Sequence, residues 1–139
     1  MARELFIRNS RLFKKPLSMS DIVSGHEWTY GTLDDHGRLE EGKINNSGLL
    51  IIYDTESIGR GIQILNHDSS KEIHLALVFP ATEGDVRMLY EVAKRIAELW
   101  KSKQISVDGD KEDISNLDHC IEFDIKTHRS VLRNARQIF

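Results

Sequence analysis

From Thr82 to Trp100 one interval repeats: Val86, Leu89, Tyr90, Ala93, Ile96, Ala97 and Trp100 stand three and four residues apart. In an α-helix that spacing collects them on one face, so the segment predicts a helix that must lie against something apolar. Pro80 ends whatever precedes it. Thr82 carries the short oxygen side chain that caps a first turn, and Asp85 stands where a capping box usually has Glu or Gln. Glu83 and Asp85 suit the positive end of the helix dipole, and Lys101 and Lys103 lie near its negative end.

The surrounding sequence supplies a sheet for this helix. Residues 49–53 (Leu-Leu-Ile-Ile-Tyr) form a continuous apolar run of strand length, which predicts a buried strand. Residues 61–65 and 72–79 flank a turn-rich stretch, Asn66 to Ser70, and read as a β-hairpin. In its second arm Ile73, Leu75, Leu77 and Phe79 share one face, and His74, Ala76 and Val78 the other. Further strands are expected at 4–9 and at 104–107, the latter closed by Asp108-Gly109. Ser18 with Asp21 three residues on predicts a short helix to about Ser24, with Gly25 as its stop.

Residues 26–48 predict a strand around Trp28 and Tyr30 ending before Gly31, a turn at 34–37, an edge strand between Leu39 and Ile44, and a turn at 45–48. The last segment admits two readings over 112–128. Ile114, Leu117, Ile121 and Ile125 fit helical spacing, whereas Ile121, Phe123 and Ile125 alternate as a strand would. A helix is expected over 129–138. The expected fold is therefore α+β: a mainly antiparallel sheet with one long helix packed on a face and a C-terminal helical segment, in a single domain over 1–139. A chain of 139 residues, 40% hydrophobic and 29% charged, can bury a core without disulfides.

Cys120 is the only cysteine, so no internal disulfide forms. The N-terminus shows no apolar run of signal-peptide length, and no stretch approaches the roughly 20 apolar residues of a membrane span. The expectation is a cytoplasmic protein without membrane partners. Net charge is −3, but basic residues crowd the two ends: Arg3, Arg8, Arg11, Lys14 and Lys15 at one, and Lys126, Arg129, Arg133 and Arg136 at the other. On a helix the second group would form a stripe able to contact nucleic acid or a protein partner. Against this, the sequence pI is about 6.1, the middle of the chain is acidic, and cations suit a helix C-terminus. Nucleic acid is not the expected partner.

Four constellations invite chemistry. Gly59-Arg60-Gly61 offers close backbone approach beside a guanidinium, the makings of an anion site, yet it lacks the dinucleotide and P-loop patterns and suits a turn or bulge entering the next strand. The acidic turn Asp108 to Asp113 fails as a calcium loop, because the sixth and twelfth places hold Asp113 and His119 rather than Gly and Glu. Asp118, His119, Cys120, Asp124 and His128 cluster in the sequence, and of these Cys120, Asp124 and His128 fall at i, i+4 and i+8 and on a continuous helix could offer three ligands to zinc. Without a paired Cys or His-Glu-x-x-His, a small buried thiol is the favoured reading and no metal is expected. His67, Asp68 and His74 lack a placed nucleophile, and neither Ser69 nor Ser70 sits in a nucleophile elbow. No cofactor is expected.

The string Leu50-Ile51-Ile52-Tyr53-Asp54, followed by Ile58-Gly59-Arg60-Gly61-Ile62, the Phe79-Pro80 end of the hairpin and the helix to Trp100, resembles an uncharacterised bacterial protein family of unknown function over about residues 3–110. The resemblance implies a bacterial cytoplasmic protein and brings no activity or site with it. The function expected from the residues is a non-enzymatic binding or assembly module acting through protein–protein contacts, with a protein partner or a homo-oligomer. Ile138-Phe139 at the terminus supports this reading, being apolar side chains that exposure would penalise. The alternatives are a small-molecule or phosphate-binding enzyme using Gly59-Arg60-Gly61 near His67 or His74, and nucleic-acid contact through the basic termini.

Overall fold

The structure is a computed structural model, and it describes residues 2–10, 16–45, 49–53, 61–68, 71–78 and 81–127. Among these, eight strands form one sheet: β1 (Ala2–Arg8), β2 (Thr29–Leu33), β3 (Leu39–Glu41), β4 (Leu49–Tyr53), β5 (Ile62–Asp68), β6 (Glu72–Val78), β7 (Gln104–Val107) and β8 (Asp110–Asp113). Their order is β3-β2-β4-β5-β6-β1-β7-β8, and the pairings are antiparallel. The α+β architecture is as the sequence predicts.

The registers follow from side-chain alternation. Leu5 faces Leu75 and Ile7 faces Ile73 across β1 and β6, while Leu50 faces Ile64 across β4 and β5. All six are fully buried. Over this face lies α2 (Glu83–Leu99), contacting β1, β5, β6 and β7. Its N-cap Thr82 accepts a hydrogen bond from the Asp85 amide, as predicted, and its stripe from Val86 to Trp100 is completely buried. The short helix α1 (Met19–Val23) starts with a full capping box between Ser18 and Asp21, and packs Met19, Ile22 and Val23 into the same core.

Three differences from the sequence reading have physical causes. First, β2 runs through Gly31 instead of stopping before it. A Cβ there would lie 2.6 Å from the Glu40 carbonyl oxygen, so glycine permits the close approach of β3. Second, β4 is not buried on both sides: Leu50 and Ile52 are, but Leu49, Ile51 and Tyr53 point to the other face and are half-buried. Third, the ambiguous segment resolves over its described residues 112–127 as strand, 3-10 turn and helix, while the helix expected over 129–138 lies outside the described residues. Asp108 and Gly109 have φ of 49° and 93°. Positive φ at both central residues is what a two-residue hairpin requires, and it turns β7 into β8. After the 3-10 turn at Ile114–Asn116, a helix (α3) occupies 118–127. Helical spacing wins there over strand alternation, because Leu117, Cys120, Asp124 and Ile125 are buried while Phe123 stays 63% exposed. No helix of the described residues is long and apolar enough to cross a membrane.

Candidate functional site

The described helices share one side of the sheet. The residues that alternate with the core therefore form a second, open face. It begins at the β3 edge with Leu39 opposite Leu33, 45% and 40% exposed. It continues through half-buried Ile51 and Tyr53 on β4 and Leu65 on β5. Next come His74 on β6 and Phe6 on β1, whose rings stack with centroids 4.3 Å apart and planes 6° apart. Eight strands at about 4.8 Å spacing make this face roughly 35 Å wide.

At its β8 end the face deepens into a trough of about 980 Å³. Its lining includes Phe6 and Ser106 and four cations, Arg8, Lys101, Lys103 and Lys111, against Glu72 and Asp113. Arg8 leans 3.4 Å from Glu72, and Gln104 donates to Asp113. The open face thus runs from an exposed leucine pair at one edge to a net basic trough near the other.

On the helix side, α3 is fastened by a polar latch. Arg3 donates from Nε to Asp124 at 3.1 Å and places a second nitrogen 2.6 Å from the other Asp124 oxygen. Tyr90 from α2 donates its hydroxyl to Asp124 at 2.6 Å. Arg3 also pairs with Asp108 at the β7–β8 turn, whose other oxygen accepts from the Glu4 amide at 2.8 Å. The Arg3 guanidinium lies 5.9 Å from the centre of the Phe123 ring. Burial pushes the Asp124 carboxyl above the usual range, in spite of the Tyr90 and Arg3 donors. Burial, then the hydrogen bond to Asp124, pushes the Tyr90 phenol far up. Burial works against the Arg3 charge, but Asp124 and Asp108 outweigh it and hold the guanidinium more firmly protonated.

Beside the latch, Glu112 on β8 meets the first turn of α3. His119 Nε2 lies 3.3 Å from Glu112 Oε2 and 3.4 Å from Cys120 Sγ. Burial, then the carboxylates of Glu112 and Asp124, pushes the Cys120 thiol up, away from a reactive thiolate. A nucleophilic Cys-His-acid array needs the thiol and the acid on different ring nitrogens, and here both approach Nε2.

A family model matches residues 2–138, and its description is a domain of unknown function, DUF4299. The chain belongs to that family. No curated protein and no solved structure matches the chain. The DUF4299 match extends beyond the 3–110 span of the resemblance, taking in β8 and α3. The family carries no assigned activity, so the functional reading rests on this chain's own geometry.

Within this DUF4299 chain several of the residues singled out by sequence lie outside the described residues. Gly59 and Arg60 lie outside the described residues. Gly61 has φ of 76°, and a Cβ on it would fall 2.7 Å from the Ile52 carbonyl oxygen, so its glycine serves the tight entry to β5. Lys126 lies on α3 and is exposed, whereas Arg129, Arg133 and Arg136 lie outside the described residues, as does His128. Cys120 and Asp124 do share a helical face, but Asp124 turns to Arg3 and Tyr90 and leaves Cys120 to His119 and Glu112. Tyr90 is not singled out by sequence as a site residue, and the sequence ties neither Arg3 nor Asp108 to Asp124, nor Glu112 to His119 and Cys120. A tyrosine on a buried helical stripe was the available signal, since a buried hydroxyl needs a partner.

Proposed function

We propose that the chain is a non-enzymatic binding module that engages a protein partner through the open face of its sheet. The observation that carries this reading is the exposed Leu33–Leu39 pair, on the same sheet face as half-buried Ile51, Tyr53, Leu65 and Phe6 and away from the described helices. Contiguous apolar surface on a folded protein marks an interaction site more often than a scattered exposed leucine does. The trough adds a sign to the surface. The partner presents apolar side chains toward the leucine edge and carboxylates toward Arg8, Lys101, Lys103 and Lys111. The latch and the shared Nε2 of His119 support binding over catalysis, since the most polar cluster on the helix side is spent on holding α3.

The test compares wild type with Leu39→Asp, Lys103→Glu and, as a control on α3, Phe123→Asp. One protein should be recovered with wild type and with Phe123→Asp, and lost with the two open-face variants, all four melting alike. Light scattering across a concentration series separates partner types. A constant monomer mass supports a different protein as partner. A dimer broken by Leu39→Asp would make a second copy the occupant, and recovery unaffected by either open-face variant would remove the proposal.

A further inference from the structure

Glu112, His119 and Cys120 come from two elements, the edge strand β8 and the start of α3. They bring one oxygen, one nitrogen and one sulfur within 4.8 Å of one another. Two distances are resolved: 3.3 Å from nitrogen to oxygen and 3.4 Å from nitrogen to sulfur. Around a tetrahedral zinc ion, with bonds of about 2.0–2.1 Å to nitrogen, 2.0–2.2 Å to oxygen and 2.3 Å to sulfur, the corresponding edges are roughly 3.4 and 3.6 Å. Two edges of a tetrahedral face are therefore already close to zinc-site lengths, and the third, from oxygen to sulfur, lies within 4.8 Å.

Hydrogen bonding through the shared ring nitrogen can serve only one of its two neighbours at a time. One ring nitrogen, His119 Nε2, faces both the carboxylate and the thiol. As a donor its single hydrogen serves the carboxylate or the sulfur but not both, and as an acceptor it can take the thiol hydrogen but has none left for the carboxylate. A cation among the three atoms would satisfy all of them. Neighbouring groups fix the framework: Glu112 is held opposite Ile105 in the β7–β8 ladder, and Cys120 is anchored by burial. The His119 side chain is 52% exposed, which leaves a way in.

We infer that Glu112, His119 and Cys120 form a binding site for a borderline-soft divalent cation, Zn²⁺ by donor type, with at least one coordination position open to solvent. The mixture of thiolate, imidazole and carboxylate selects zinc over magnesium or calcium, which prefer oxygen alone. Asp124 is not a ligand, because both of its oxygens are engaged by Arg3 and Tyr90. The site lies on the helix side of the sheet, so it stands or falls independently of the open-face proposal.

The test titrates the full chain with Zn²⁺ by calorimetry and with Co²⁺ by absorption. One equivalent of zinc should bind, and cobalt should give intense visible bands of tetrahedral coordination with a thiolate charge-transfer band in the near ultraviolet. Cys120→Ser should abolish the charge-transfer band. His119→Ala and Glu112→Gln, which alter exposed or half-buried side chains, should each weaken zinc binding at least tenfold, and His36→Ala should leave it unchanged. Zinc that fails to bind at micromolar concentration would overturn the site. So would binding that His119→Ala and Glu112→Gln leave intact, or a cobalt complex without the thiolate band in wild type.

Discussion

Leu5 and Phe6 are adjacent on β1 and meet opposite surroundings. Leu5 faces Leu75 beneath α2 and is fully buried, whereas Phe6 is half-buried and stacks on His74 across the open face. The same alternation divides β4, where Leu50 and Ile52 enter the core and Leu49, Ile51 and Tyr53 do not. One set of strands thus builds two surfaces with different chemistry. The helix face is closed by aliphatic packing and by the Arg3–Asp124–Tyr90 latch. The open face has no such closure among the described elements, yet it keeps apolar side chains where a surface serving only solubility would carry polar ones. That composition is what motivates the proposed contact with a partner.

The sharpest way to break this division is to cut the latch. Asp124→Ala removes the shared acceptor of Arg3 and Tyr90, and loss of one partner from a buried ion pair should cost about 3–5 kcal/mol in urea unfolding. Truncating the aliphatic layer comes next: Leu75→Ala, under α2, should lose about 2–5 kcal/mol. Tyr90 provides a pH test of the same layer. Its phenol is held well above the ordinary value of 10.0, so an unfolded chain gives up that proton first. The stability tied to Tyr90 is therefore fully present below about pH 10 and is lost as pH rises beyond it. Tyr90→Phe should flatten the alkaline limb of a stability–pH profile. The smallest effect belongs to the open face: Lys103→Glu should change the unfolding free energy by no more than about 0.5 kcal/mol while weakening partner binding. An open-face variant as damaging as Leu75→Ala would erase the distinction between the faces.

Much of this fold is legible in the residues, because strong periodic signals are local. The stripe from Val86 to Trp100, the Thr82 cap, the Ser18–Asp21 capping box and the strand at 104–107 all depend on short-range geometry. The open face was half legible: the alternation of His74, Ala76 and Val78 shows a second surface, but only the strand order joins it to Phe6 and Leu65. Asp108-Gly109 carried a strong hairpin signal, but the acidic β8 that follows, Asp-Lys-Glu-Asp, has no apolar alternation to mark it as a strand. The latch, and the meeting of Glu112 with His119 and Cys120, are hidden for another reason. Arg3 lies 121 residues from Asp124, and a contact at that separation is set by topology, not by spacing. Proximity in sequence suggested Cys120 with Asp124, while the folded chain gives Asp124 to Arg3.

The most direct test of the central claim is site-specific photo-crosslinking in living cells, with the reactive side chain at Leu39 or Ser106 on the open face and, in parallel, at Phe123 on α3. The account predicts a discrete crosslinked protein from positions 39 and 106, with none from 123. Equal crosslinking from both sides, or adducts from position 123 alone, would contradict it.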